Sequence, residues 1–334
     1  MALGSLALAG LVVLALSRIG FAGIGRSLTS VHPWWLVAAL ALNAFSMFLR
    51  AGSWQAVLRA ALPDARFRWL VVVRATMVGV LVSAIIPGRF GEPARAYLVA
   101  RRTEDAAPFP LVLGTVFAQV LINLVAMAML TAITIASLAL VRGHATALIA
   151  AVIVPSALVA LIVAGPALLA RAQRSRRVYL SRAARWLGIQ VVQVRRGLRV
   201  FTQLRLGAAA IAAQLAAWAV QTLAAYAVIH ALGLQGRAGL GAAAAILLAV
   251  NITALVPITP SNLGIFQAAT IAVLAAYGVG ASQGLAYGIL LQAVEIITAI
   301  VLGVPALLGE RISLSDIRRQ ATSTPPPPQA PFKT

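Results

Sequence analysis

Long apolar runs, broken by short arginine-bearing segments, set the pattern of this chain. Leu3–Ser17 is the first run and Trp34–Leu49 the second. Leu70–Ile86 ends at Pro87, and a short arm, Pro93–Ala100, follows it. Leu111–Val141, Ala147–Ala170 and Leu206–Leu232 are long. Leu240–Val256 runs into Pro257, and Leu263–Tyr277 and Leu285–Leu308 complete the series. The runs are continuous rather than alternating, which predicts helices and excludes a β-barrel. A helix of about 20 apolar residues crosses a bilayer. Leu3–Ser17 lacks the basic start and small-residue cleavage site of a signal peptide, so it reads as a retained span. The tail Gln320–Thr334, with Pro325–Pro328, reads as disordered.

Composition narrows the class. Of 334 residues, 61% are hydrophobic and only 10% charged, against about 25% charged in a soluble domain. Such a chain cannot cover a water-facing surface, which makes it a polytopic helical membrane protein. Cysteine is absent, so disulfides and thiolate chemistry are excluded. His32, His144 and His230 share no metal-ligand spacing. Neither a P-loop nor a Gly-x-Ser-x-Gly turn occurs. No cofactor, metal or catalytic residue is expected, and a transporter fits better than an enzyme.

The net charge of +20 comes from 27 basic and 7 acidic residues. In a soluble protein it would point to nucleic acid, but aromatic residues do not interleave with the basic ones. The arginines instead follow the positive-inside rule. The linker 171–205 is rich in arginine and has no acid, so it is cytoplasmic. Arg59, Arg66, Arg68, Arg101, Arg102, Arg311, Arg318 and Arg319 fall on the same side if Leu70–Ala100 and Leu240–Tyr277 each enter the membrane and return. The expected fold is therefore all-α: about six full spans plus two re-entrant helical hairpins in an inverted repeat. Residues 1–310 form one transmembrane domain, with repeat-like halves at about 34–141 and 206–308. Residues 311–334 form a cytoplasmic tail. The first hairpin is the clearer one, since Glu92, Arg95, Arg101 and Arg102 leave its second arm too few apolar residues to span. Within the linker, Leu180, Ala184, Leu187, Val191, Val194, Leu198 and Phe201 form one helical stripe. Arg182, Arg185, Arg196 and Arg199 fall mostly away from it, toward lipid phosphates.

The hairpin tips carry the candidate chemistry. Pro87-Gly88-Arg89-Phe90-Gly91-Glu92 and Pro260-Ser261-Asn262-Leu263-Gly264-Ile265 share Pro-x-x-large apolar-Gly. Proline ends the first arm and glycine allows the reversal. A helix that starts inside the membrane offers free amides and partial positive charge, which suits an anion. Arg89 and Arg95 flank that start, and Glu92 can hold one of them in place. Charges at that depth are costly and usually functional. The candidate substrate-binding residues are Arg89, Glu92, Arg95, Gly88, Gly91, Asn262, Gln267, Gln292 and Glu295. Gln119 with Asn123, and Gln214 with Trp218 and Gln221, are further polar positions that either line a cavity or bond between helices.

Pro87-Gly88-Arg89-Phe90-Gly91-Glu92-Pro93-Ala94-Arg95 resembles the Pro-Gly-Arg-x-Gly-Glu-x-x-Arg signature of the lysylphosphatidylglycerol synthase transmembrane-region family, also called flippase-like. Pro257-x-x-Pro260-Ser261-Asn262-Leu263-Gly264-Ile265-Phe266-Gln267 resembles its second signature, Pro-x-x-Pro-Gly-Gly-Leu-Gly-x-x-Glu. The resemblance implies a protein of the bacterial or archaeal cell membrane that moves lipids or lipid-linked molecules between leaflets. Members joined to a soluble aminoacyl-transferase domain translocate aminoacylated phosphatidylglycerol. That domain is not in this sequence, so lipid synthesis is not implied. The sequence departs from the family at four places. Gln267 replaces Glu, Ser261-Asn262 replaces Gly-Gly, Ala118-Gln119 stands where a Glu-Arg pair is frequent, and Gln292 replaces an arginine common in the last helix. These changes point to a less charged cavity and a different headgroup. The expected partners are membrane lipids: an anionic phospholipid or a polyprenyl-phosphate-linked glycan. A homo-oligomer or a partner enzyme is also open. Two alternatives stand beside transport: an intramembrane transferase using a lipid-linked donor, and a non-catalytic subunit of a lipid-modifying enzyme.

Overall fold

The computed structural model describes residues 31–63, 65, 67–85, 90–103, 109–142, 200, 203–253, 262 and 264–310. The expected spans Leu3–Ser17 and Ala147–Ala170, the linker stripe with Arg182, Arg185, Arg196 and Arg199, and the tail lie outside the described residues. Among the described residues the elements are all helices: α1 Pro33–Ala61, α2 Trp69–Ile85, α3 Gly91–Arg102, α4 Phe109–Arg142, α5 Leu204–Ala231, α6 Leu240–Thr253, α7 Ile265–Ala275 and α8 Ala281–Glu310.

Local sequence explains where these helices begin and end. Pro33 opens α1, where its missing amide costs nothing. Pro63 follows the α1 C-cap and prevents continuation. Gly233 (φ 66°) and Gly278 (φ 74°) close α5 and α7 in the left-handed conformation. In each case the next amide reaches back to a carbonyl in the last turn, Leu234 to Ile229 and Val279 to Leu274. At the start of α7, Gly264 has φ 86° and Asn262 φ 52°, both positive. The Gly264 amide donates to Gln267 Oε1 at 2.7 Å.

Pro33–Ala61, Phe109–Ala132, Leu204–Ala231 and Ala281–Gly309 are long and apolar enough to cross a membrane. The other apolar helices are shorter: Trp69–Ile85 has 17 residues, Leu240–Thr253 has 14 and Ile265–Ala275 has 11. At 1.5 Å per residue the last two reach only about 16–21 Å, well short of a hydrocarbon core of about 30 Å.

One boundary differs from the sequence reading. The second run was expected to stop at Leu49, ahead of a charge, but α1 continues for three further turns through Arg50. The arginine is tolerated because it turns into a polar cavity rather than toward lipid.

The helices pack through small residues, as membrane helices do when no water drives them together. Ala39, Ser46, Ala51 and Ser53 of α1, and Gly207, Ala210, Ala217 and Ala224 of α5, are buried. These two long helices run antiparallel along each other. The His32 amide donates to the Ala231 carbonyl at one end (2.9 Å), and Gln203 Nε2 donates to the Ala60 carbonyl at the other (3.2 Å). Around this pair, α2 lies on α3 and α8, while α6 lies on α7 and α4. Helix α3 packs on α4 as α7 packs on α8. Exchanging α1–α4 with α5–α8 maps each of these neighbour pairs onto another.

Candidate functional site

A cavity of about 300 Å³ lies at the centre of the helices. Its wall takes Met47 and Arg50 from α1, and Thr76, Gly79, Val80 and Ser83 from α2. Gly91, Glu92 and Arg95 come from α3, and Gln119, Val120 and Asn123 from α4. Gln214 and Gln221 of α5, Asn251 of α6 and Glu295 of α8 complete it. The start of α3 reaches this wall because Gly91 and Gly79 bring two backbones together. A Cβ at Gly91 would collide with the Gly79 carbonyl oxygen and the Ser83 hydroxyl. A Cβ at Gly79 would lie 2.9 Å from the Gly91 carbonyl oxygen.

The two cavity arginines are held in the same way. Arg95 Nη1 donates to Gln119 Oε1 at 2.7 Å, and the Arg95 guanidinium carbon lies 4.8 Å from the centre of the Trp54 ring. Arg50 Nη2 donates to Gln221 Oε1, and its guanidinium carbon lies 5.7 Å from the centre of the Trp218 ring. Each indole is fixed on α4: Trp54 Nε1 donates to Thr115 Oγ1 at 3.0 Å, and Trp218 Nε1 to Asn123 Oδ1 at 2.9 Å. Gln119 ties the two arrangements together by donating to the Arg50 carbonyl at 2.9 Å. A guanidinium over a desolvated indole gains about 2 kcal/mol. Neutral acceptors and aromatic faces therefore orient both cations.

Polar atoms remain unmatched in this wall. Arg50 Nε, Arg95 Nε, Glu92 Oε2 and Gln214 Oε1 are buried without a hydrogen-bond partner. An unmatched buried polar atom costs about 1–3 kcal/mol, more for a charged group. Among the described residues, four such atoms belong to the wall of this one cavity.

A family model described as the lysylphosphatidylglycerol synthase TM region matches residues 1–303. The chain belongs to this family. No curated protein and no solved structure matches it. Family and spanning-length helices together make it an integral membrane protein with a lipid-related function.

Of the residues singled out from the sequence, Gly91, Glu92, Arg95 and Glu295 meet in the cavity wall. Arg89 and Gly88 lie outside the described residues. Gln267 and Gln292 are brought together elsewhere: Gln267 Nε2 donates to Gln292 Oε1. These are the two positions at which the resemblance led us to expect a glutamate and an arginine, and the structure sets them against each other. Asn262 stands two residues before Gly264, the N-cap of α7, its Oδ1 buried without a partner. For Arg50 and Arg95 the hydrogen-bond acceptors are glutamines. Sequence reading missed Arg50 as a site residue. The available signal was its helical register: Asn43, Met47 and Arg50 fall on one face of α1, and the apolar run resumes beyond the charge.

Proposed function

We propose that this protein moves a phosphate-bearing lipid, or a lipid-linked molecule, between the leaflets of the cell membrane. One observation carries the reading: Arg50 and Arg95 share a cavity walled by four helices of membrane-crossing length and by the shorter α2, α3 and α6, each arginine set in place by a glutamine and an indole. A phosphate at mid-membrane is opposed chiefly by desolvation. Two guanidinium groups that already face a polar cavity replace the water a headgroup leaves behind. The acyl chains stay in the bilayer while the headgroup passes through the protein.

The architecture in this proposal is an inverted repeat, with α2–α3 and α6–α7 as re-entrant hairpins and the C-terminus cytoplasmic. Its support is the antiparallel α1–α5 pair, the shortness of α6 and α7, and a neighbour pattern that survives exchange of the halves. The test is reconstitution in vesicles carrying acyl-labelled phospholipids, with the outer leaflet bleached chemically. Acceleration of label loss over empty vesicles, reduced by Arg50→Ala and Arg95→Ala, is the expected result. Rates equal to empty vesicles across phosphate headgroups overturn it.

A further inference from the structure

Among the described residues, the cavity wall contains two cations, Arg50 and Arg95, and two carboxylates, Glu92 and Glu295. The simplest explanation for the carboxylates would be that they serve as the arginines' hydrogen-bond acceptors. The geometry assigns that task elsewhere, since each guanidinium donates to a glutamine and lies against a tryptophan. Glu92 keeps Oε2 buried without a donor. The wall thus presents both guanidinium and carboxylate groups with hydrogen-bonding capacity left over.

From this we infer that the preferred headgroup is net-neutral, carrying one phosphate and one primary ammonium group, as in an ethanolamine-type phospholipid. The inference rests on the lipid-moving reading above. The phosphate lies against Arg50 and Arg95, and the ammonium donates to Glu92 and Glu295. An anionic headgroup without an amine would bring a third negative charge beside the two carboxylates and leave them without donors. Charge–charge terms of that kind weigh far more in a low-dielectric cavity than in water. Size agrees: about 300 Å³ is at the lower limit for small-molecule sites, which suits a compact headgroup better than an oligosaccharide.

The experiment compares two acyl-labelled lipids in otherwise identical proteoliposomes, one with phosphoethanolamine and one with phosphoglycerol as headgroup. The wild-type protein is expected to move the ethanolamine lipid at least about tenfold faster, the worth of one hydrogen bond to a charged partner. Glu295→Gln and Glu92→Gln are each expected to pull the ratio of the two rates toward one. Equal wild-type rates for both lipids, or a preference for phosphoglycerol, overturn the inference and leave the transport reading standing. A preference that both glutamine variants retain overturns it as well. Movement of neither lipid overturns the transport reading itself.

Discussion

The two short helix pairs, α2–α3 and α6–α7, occupy equivalent places in the neighbour pattern but differ in chemistry. Gln119 follows Gly91 by the same interval as Gln292 follows Gly264. Each of these glutamines accepts a hydrogen bond from the second arm of its own pair, from Arg95 in the first and from Gln267 in the second. In the first pair the donor is a cation with its Nε left over in a cavity wall. In the second it is a neutral amide whose Oε1 also caps the start of its helix. Among the described residues, no α7 side chain lines the cavity. One neighbour arrangement can thus hold a cavity-facing charge in one pair and a self-satisfied clasp in the other.

That contrast is easiest to break at the arginines. Arg95→Ala or Arg50→Ala should lower lipid movement at least about a hundredfold, the loss of roughly two charge-assisted contacts. Gln267→Ala should lower it less than about threefold. Label-accessibility assays on matched proteoliposomes check this, and equal losses would abolish the distinction between the pairs.

The next effect concerns the backbone. Gly91→Ala should cost about 1–3 kcal/mol by overpacking, because the Gly79 carbonyl it meets cannot rotate away. Gly241→Ala on α6 meets only the Tyr277 hydroxyl, at 4.0 Å. It should raise stability by up to about 1 kcal/mol through helix propensity. Thermal unfolding in detergent would register a lower Tm for the first variant and an equal or higher one for the second.

A smaller effect separates the indole face from its N–H. Trp54→Leu removes both and should slow movement about tenfold, while Trp54→Phe keeps a ring under Arg95 and should slow it about threefold. The same rate assay distinguishes them, and identical losses would show that the ring face does not orient Arg95. Smallest is the neutral clasp. Gln267→Glu combined with Gln292→Arg recreates the charged pair of the family pattern. A double-mutant cycle in thermal stability should give a favourable coupling of about 0.5–2 kcal/mol.

Much of the fold was legible along the chain. Four of the expected six spans coincide with long helices to within a few residues at most ends, and the short runs emerge as short helices. The other two expected spans fall outside the described residues. The site was legible in part. Glu92, Arg95 and Glu295 stand out as charges in apolar surroundings, which is a strong signal inside a membrane. Arg50 carries the same signal, yet ending the run at Leu49 hid it, because a hydropathy reading places every charge at a boundary when it can. Gln267 and Gln292 were selected for a binding role on residue type alone. Nothing in their local sequence says that they face each other across α7 and α8.

By itself, then, the sequence determined the solvent of this protein, its helical character and the family it belongs to. Composition and run length answer the first two, since a bilayer admits few alternatives for an apolar chain, and the signature residues answer the third. Only the tertiary structure decided which polar groups meet. The long helices are apolar around most of their circumference, so no single stripe marks an inward face on them. It took the crossing of α1, α3, α4 and α5 to set each arginine against an indole and a glutamine, a coincidence in space between residues far apart in the chain.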